Sequence, residues 1–419
     1  MKKILELIES GFVIVSLMFY SGGVLAVVLS GGISQGDLQQ DFDTGLIRLV
    51  FSLIYVITFF LLVLMWKKIV YFASRNILFW VLIGLTFASI FWSYVPDVTL
   101  RRLVALIGTT MFGIYLSSKY SIEQQLKMLV WTYGIAVFLS FLFVIALPQY
   151  GLESGTHEGL WRGIYSHKNT LGVNMATSSI IFWIMAINSQ ENRHLLWIGF
   201  YSSIILVILS GASSALANVF IIIVIYFFCQ IFRLRLTIQI PLLICLLITG
   251  VWMNILVTSN LDFLLGLLGK DITLTGRTEL WQLTWQSIQK EYWLGYGYRA
   301  FWTEGNSEAS IINTTLSWIV PHAHNGLLQL WTNLGLLGVL IYLAGFLTIF
   351  MTAFMQFQQN KQWEFCWIIL FLSFVILTNT TEQNLLRENN IVWVLYVATY
   401  FSMGLLKKTS KLPRISNDI

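Results

Sequence analysis

The chain has 419 residues, 57% of them hydrophobic and 11% charged, with 25 Lys and Arg against 20 Asp and Glu for a formal net charge of +5. A soluble domain carries about 25% charged residues, so this chain cannot maintain a water-soluble surface and reads as an all-α polytopic membrane protein. The basic surplus falls mostly in short connections between apolar runs, where it sets membrane orientation, and this excludes a nucleic-acid partner.

Taken in order, Met1 to Glu9 precedes an apolar run, Gly11 to Leu29, long enough to span and stay as a first helix, so no cleavable leader is expected. Twelve spans are placed at roughly 10–31, 45–66, 77–95, 100–118, 125–147, 171–188, 195–213, 214–232, 240–258, 325–355, 363–379 and 391–406. With the N-terminus inside, 15 of the 25 basic residues fall on the cytoplasmic side, Lys2, Lys3, Lys119, Lys127, Lys407 and Lys408 among them. Of the other 10, Lys270, Arg277, Lys290 and Arg299 lie in one long loop, where the orientation rule does not count them. Both termini are therefore expected in the cytoplasm.

No internal repeat, low-complexity tract or soluble boundary breaks the chain. Residues 1–419 are read as one integral membrane domain with two external functional loops, 148–170 and the long 259–324 between spans 9 and 10. His157, His167, His322 and His324 fall in these loops, and only His194 lies inside. Chemistry is thus expected outside the cytoplasmic membrane, where no nucleotide sugar is available and the donor must be lipid-borne and already activated. Cys229, Cys245 and Cys366 sit within apolar runs and read as small packing residues.

The first loop carries Trp161-Arg162-Gly163-Ile164-Tyr165-Ser166-His167-Lys168-Asn169 just before a span. The long loop carries Thr275-Gly276-Arg277-Thr278-Glu279-Leu280-Trp281, then a helical stripe at Trp281, Trp285, Ile288 and Tyr292. Thr275 is placed to cap that helix and Gly295 to end it, which sets Arg277 in a first turn whose unpaired N–H groups favour an anion. The loop closes with Pro321-His322-Ala323-His324-Asn325 and runs straight into the tenth span. If residues 325 onward form one helix, Gly335 lies about 20° from His324 around the axis and Gly338 one turn further, so histidine and glycines share a face. Small residues there let a helix or a lipid chain approach the backbone closely below the histidine.

His324-Asn325, nine residues, Gly335, two residues and Gly338 resemble the signature of the O-antigen ligase and O-antigen polymerase family of bacterial membrane glycosyltransferases. The Arg162-Gly163 and His167-Lys168-Asn169 segments, Gly276-Arg277 with Trp281, and Leu294-Gly295-Tyr296-Gly297 are similar to the same family, so the resemblance covers roughly residues 160–345. It implies a GT-C-like helical fold and, as partners, a polyprenyl-diphosphate-linked glycan, an acceptor glycan or glycolipid, and membrane lipids. Two departures stand out. Val339-Leu340 follow Gly338 where ligases carry two threonines, and Ser213-Ser214-Ala215 stand where many members carry Ser-Arg.

On this reading His324, whose imidazole titrates near neutral pH, is the base that deprotonates an acceptor hydroxyl; Asn325 orients it or the sugar, and His322 supports. Arg162 and Arg277 are assigned to the donor diphosphate because guanidinium matches phosphate oxygens bidentately and stays charged. His167, Lys168 and Asn169 are supporting. No cofactor and no metal are expected: no carboxylate or cysteine completes a zinc set with the histidines, and Asp41-Phe42-Asp43 is too short a pattern to carry one. Trp293, Tyr296, Tyr298, Phe301 and Trp302 read as an interfacial belt or as stacking surfaces for sugars.

The function expected is transfer of a saccharide from a polyprenyl (undecaprenyl) diphosphate carrier to a sugar hydroxyl outside the cytoplasmic membrane. Polymerisation of O-antigen or exopolysaccharide repeats is favoured by the missing threonines. The alternatives are a ligase attaching finished glycan to a lipid or protein, and, from another class, a transporter of lipid-linked glycan, which would need charges through the bilayer midplane.

Overall fold

The computed structural model describes residues 2–31, 45–67, 76–234, 239, 277–303, 305–316, 318–360 and 362–409. The elements in order are α1 (Lys2–Tyr20), α2 (Leu25–Leu29), α3 (Gly45–Leu64), α4 (Ile77–Ala88), α5 (Pro96–Lys119), α6 (Ile122–Ala146), α7 (Pro148–Gly151), α8 (Lys168–Asn188), α9 (Arg193–Leu209), α10 (Ser213–Ile231), α11 (Arg277–Lys290), α12 (Ser307–Leu316), α13 (Gly326–Asn360), α14 (Trp363–Thr378) and α15 (Ile391–Thr409). Among the described residues there is no strand, and one isolated bridge joins Leu152 to Trp161.

Six of these helices, α3, α5, α6, α8, α10 and α13, are long and apolar enough to cross a membrane, and four shorter apolar helices, Ile77–Trp92, α9, α14 and Ile391–Met403, accompany them. These ten coincide with ten of the twelve expected spans. The expected first span, 10–31, is corrected: α1 runs from Lys2 only to Tyr20, and the chain then bends through Gly22 and Val24, both at positive φ, before α2. The bend is fixed by tertiary pairing, since the Val24 N–H donates to the Ile164 carbonyl at 2.7 Å. The expected ninth span, 240–258, lies outside the described residues, as do Cys245 and the first part of the long loop.

Local chemistry sets the helix ends. Pro96 opens α5, where its missing N–H costs nothing. Ser121 and Gln124 form a reciprocal capping box at the start of α6, with bonds of 2.9 and 3.3 Å. Because α5 is 24 residues long, about 36 Å at 1.5 Å per residue, its two ends mark opposite ends of the bundle. At the Lys119 end, Lys119 pairs with Glu9 at 2.9 Å and Tyr115 donates to the same carboxylate at 2.6 Å. At the Pro96 end the connections converge: the Tyr94 N–H donates to the Tyr296 carbonyl and the Thr99 hydroxyl to the Tyr298 carbonyl.

The main core runs the length of the bundle, with α8, α14 and the first half of α15 almost wholly buried and Cys229 and Cys366 inside it. A second, separate cluster of Leu280, Tyr296, Phe301, Ile312 and Val320 lies under α11 and α12 at the Pro96 end. Lys290 of α11 reaches Glu308 of α12 at 2.7 Å and ties the two helices over it.

Candidate functional site

The site is organised by a break in α13. Asn325 Oδ1 accepts from the N–H groups of Leu327 and Leu328 at 3.0 and 3.1 Å, an N-cap that starts the helix at Gly326. Nine residues on, Gly335 adopts φ 64 and ψ −168, a conformation open only to glycine, and the helix is interrupted. The amides of Leu336 and Leu337, which a continuous helix would direct to Thr332 and Asn333, donate instead to the carbonyls of Tyr292 and Trp293 at 2.9 and 3.3 Å. The Thr332 carbonyl accepts from Tyr296 at 2.8 Å, and the Trp331 indole donates to Tyr292 at 3.0 Å. A methyl on Gly335 would stand 2.2 Å from the Trp293 carbonyl, and one on Gly295 2.7 Å from the Gly335 nitrogen.

This corrects the expectation of one helix with His324, Gly335 and Gly338 on a shared face above a lipid groove. His324 precedes the helix, and the space at Gly335 is filled by segment 292–295 of the chain itself. Gly338 is buried against Leu334. The close backbone approach expected at Gly335 is present, but its occupant is the long loop. At the described end of that loop α11 spans Arg277–Lys290, and Gly295 (φ 66) ends the turn after it, its N–H donating to the Glu291 carbonyl.

Just ahead of α13 the histidines are pinned from several sides. The Ala323 carbonyl accepts from the Trp281 indole of α11 at 2.9 Å, and the Ala323 N–H donates to Gln329 Oε1 at 3.2 Å. Gln329 in turn donates to Asn333 Oδ1, which also accepts from the Arg299 N–H. His324 is held at φ 49, left-handed for a non-glycine residue, and its N–H donates to His322 Nδ1 at 3.2 Å with the two rings 4.0 Å apart. Strain of this sort persists only where surroundings over-determine it. His322 Nδ1 accepts a proton bond, so its Nε2 carries the hydrogen of the neutral ring. His324 Nδ1 is buried and, among the described residues, has no hydrogen-bond partner.

Burial, then the charges of Arg277 and His167, lower the His324 pKa to about 4. His322 is held well below its ordinary value by burial, then by His324, Arg387, Arg299 and Arg277. Both rings are therefore neutral at physiological pH, as a proton acceptor must be. Arg277 heads α11 half-buried, and its guanidinium makes no hydrogen bond among the described residues.

The connection between α14 and α15 supplies residues the sequence reading passed over. Glu382 brings a carboxylate oxygen into a group with one nitrogen each of His322 and His324, all within 4.8 Å of one another. Burial raises the Glu382 carboxyl, while Arg277 and Arg387 pull it down. Glu388 bridges Arg102 and Arg299 at 3.0 Å each and accepts from the Tyr298 hydroxyl at 2.9 Å. Burial alone would raise Glu388, but Arg299 and Arg102 hold it below its ordinary range. Arg299 also donates to Gln383 at 2.8 Å, and Asn379 ties the segment to the start of α13 through Gly326. The only signal in the sequence was three ionisable residues, Glu382, Arg387 and Glu388, in a short connection of a chain only 11% charged.

Other expectations are relocated. Arg162 is fully buried, with Nε and Nη2 donating to the carbonyls of Tyr150 and Gln149 at 3.0 and 3.1 Å, so it braces the α7 turn. His167 caps α8, Nδ1 accepting from Asn169 at 3.2 Å, and its Nε2 lies 4.0 Å from buried Glu153; its charge reaches His324. Lys168 heads α8 and its N–H donates to Glu153. Tyr296, Tyr298 and Phe301 are core residues rather than stacking surfaces; Trp302 packs beside them and Trp293 is exposed. Asp41, Asp43, Thr275 and Gly276 lie outside the described residues. The expectation that no carboxylate joins the histidines is corrected by Glu382: two imidazoles and a carboxylate are a donor set for a divalent ion. The guanidinium charges of Arg277 and Arg387 beside that set oppose a dication.

The model of the O-antigen ligase family matches residues 198–343, which include α11, the histidine pair and the broken part of α13. Over that stretch the chain is similar to the O-antigen ligase family. A curated relative, the exopolysaccharide production protein ExoQ of Rhizobium meliloti (strain 1021), is 26% identical over 273 residues, 62% of this chain and 61% of the relative. The match thus spans about three fifths of that relative's length. The apolar helices, six of them long enough to span, mark a multi-pass membrane protein.

Proposed function

We propose that the chain is a glycosyltransferase that moves a saccharide from a polyprenyl diphosphate carrier to an acceptor sugar hydroxyl, polymerising repeat units at the outer face of the cytoplasmic membrane with both termini inside. The observation that carries this reading is a neutral imidazole, His324, with a buried nitrogen that has no partner among the described residues, under the influence of the Arg277 guanidinium, which makes no hydrogen bond among them either. The acceptor oxygen attacks the anomeric carbon as its proton passes to His324. The bond from that carbon to the diphosphate breaks, and the electron pair leaves with the phosphate.

Arg277, with Arg387 beside it, offsets the charge that grows on the leaving diphosphate. The guanidiniums of Arg277, Arg299 and Arg387 all act on the His322 ring, while among the described residues the carboxylate grouped with the histidines is Glu382, a local balance that favours an anion. The reaction written this way needs no metal. Arg387 takes the place that the sequence reading gave to Arg162. His167, Lys168 and Asn169 stay as supporting groups at the head of α8.

Polymerisation is favoured over ligation by Val339-Leu340 after Gly338 and by the relative's name, an exopolysaccharide production protein. The description of the matched family, O-antigen ligase, keeps the ligase as the second reading. Gel analysis of glycans from a strain lacking the chain separates them. Loss of a polymerase leaves single repeat units; loss of a ligase leaves long chains on the carrier. An unchanged glycan pattern would remove both.

A further inference from the structure

A base buried as His324 is must become an imidazolium during the transfer proposed above, and a buried cation without a counter-charge is costly. The groups that face it are Arg277 from α11, His167 from the head of α8, His322 beside it, and Glu382, Arg387 and Arg299 around the connection between α14 and α15. All but one of these are cationic or become so on protonation. Glu388, the other carboxylate of the connection between α14 and α15, is already spent on Arg102 and Arg299. Glu382 is different. Among the described residues its carboxylate accepts no hydrogen bond and forms no ion pair, yet an oxygen lies within 4.8 Å of a nitrogen of each imidazole.

We propose that Glu382 is the positioning residue of the base: it holds the His322–His324 pair in place and supplies the negative charge against which the His324 imidazolium forms. This rests on His324 being the base. The acceptor O–H bond breaks, its proton bonds to His324, and the diphosphate departs with the electron pair of the broken anomeric bond. The imidazolium stays beside the Glu382 carboxylate until water takes the proton. The arrangement is that of a base oriented by a third group. It also explains why a connection of about a dozen residues, too short to span anything, is folded against the start of α13 through Asn379 and Gly326.

The test uses the purified full chain and, as donor, the lipid-diphosphate-linked glycan extracted from a strain lacking it. Glu382→Gln, Glu382→Asp and His324→Ala are compared with wild type. Glu382→Gln is expected to lower kcat by about 10²-fold with the donor KM unchanged. Burial raises the Glu382 carboxyl, so in wild type its protonation removes the counter-charge before His324 itself titrates, and Glu382→Gln should move the acid limb of the kcat–pH profile to lower pH. Glu382→Asp, which keeps the charge, should restore that midpoint and part of the rate.

Wild-type kcat in Glu382→Gln beside an inactive His324→Ala would sink this inference alone. A slower Glu382→Gln with an unmoved midpoint would reduce Glu382 to a fold support and overturn it as well. EDTA inhibition reversed by Zn²⁺ would show that the three side chains bind a metal, which also overturns it. Full activity of His324→Ala would take down the base and this inference together.

Discussion

The Gly335 Cα and the Trp293 carbonyl are in contact so close that no side chain fits between them: a methyl on the glycine would lie 2.2 Å from both the carbon and the oxygen. Through this contact a loop residue replaces a helix turn, and the break in α13 becomes a socket for segment 292–295. Gly335→Ala is therefore expected to act on folding rather than on donor choice. The φ of 64 costs a non-glycine residue about 1–3 kcal/mol, and the clash adds a further amount of similar size. Thermal unfolding in detergent should show a lower Tm, with equal loss of activity on long-chain and short-chain donors. A normal Tm with selective loss of long-chain donors would restore the lipid-groove reading.

Arg277→Lys keeps a charge and loses the planar fork. If two N–H groups grip the diphosphate, the lysine variant should lose about 1.5–3 kcal/mol of charged hydrogen bonding, read as a lower kcat/KM for the lipid donor. Wild-type activity should be indifferent to excess EDTA. A fully active lysine variant would exclude bidentate binding.

Arg162→Met should unfold the 148–168 loop instead of weakening the donor. It removes the partners of the Gln149 and Tyr150 carbonyls, each left unpaired at a cost of about 1–3 kcal/mol. The measurement is protease sensitivity of the 148–168 stretch together with donor KM. A stable loop with a raised KM would return Arg162 to the diphosphate.

The pH dependence follows from the low His324 pKa. The ring is ordinarily half-protonated near pH 6.5, but in the folded chain it stays neutral down to about 4. Activity as kcat/KM should hold from pH 8 to about 5 and fall with a midpoint near 4. Stability has the matching sign. Above about 6.5 the group is neutral folded and unfolded and costs nothing; as pH falls from there towards 4 the unfolded chain binds a proton that the folded one refuses, and stability declines. An acid limb centred near 6.5 would show that His324 is solvated and not the base described here.

Six spans were readable because a bilayer demands about 20 apolar residues of any helix that crosses it, and such runs carry their own signal. The histidine pair and Arg277 drew attention for a different reason, their fixed spacing to nearby glycines and tryptophan. The break at Gly335 was not, because the carbonyls that cause it belong to Tyr292 and Trp293, some forty residues upstream, and no local pattern announces a partner that distant. Arg162 shows the converse difficulty: an arginine beside a glycine in an external loop looks the same whether its guanidinium meets phosphate or two backbone carbonyls. Glu382, Arg387 and Glu388 escaped because a short polar connection between two spans ordinarily does nothing but turn the chain.

The small apolar centre formed by Leu280, Tyr296, Phe301, Ile312 and Val320 is cohesive for a different reason from the bundle below it. Among lipid tails, apolar side chains gain little by leaving their solvent for one another, and packing and polar contacts hold the helices together. Away from the tails the same residues are driven together by water, and that drive weakens on cooling. One chain thus has two responses to cold. The histidine loop is hung from the upper one, since the Trp281 indole that holds Ala323 packs against that centre. In an organism growing near freezing, this loop is where the enzyme would falter first, with its membrane helices still intact.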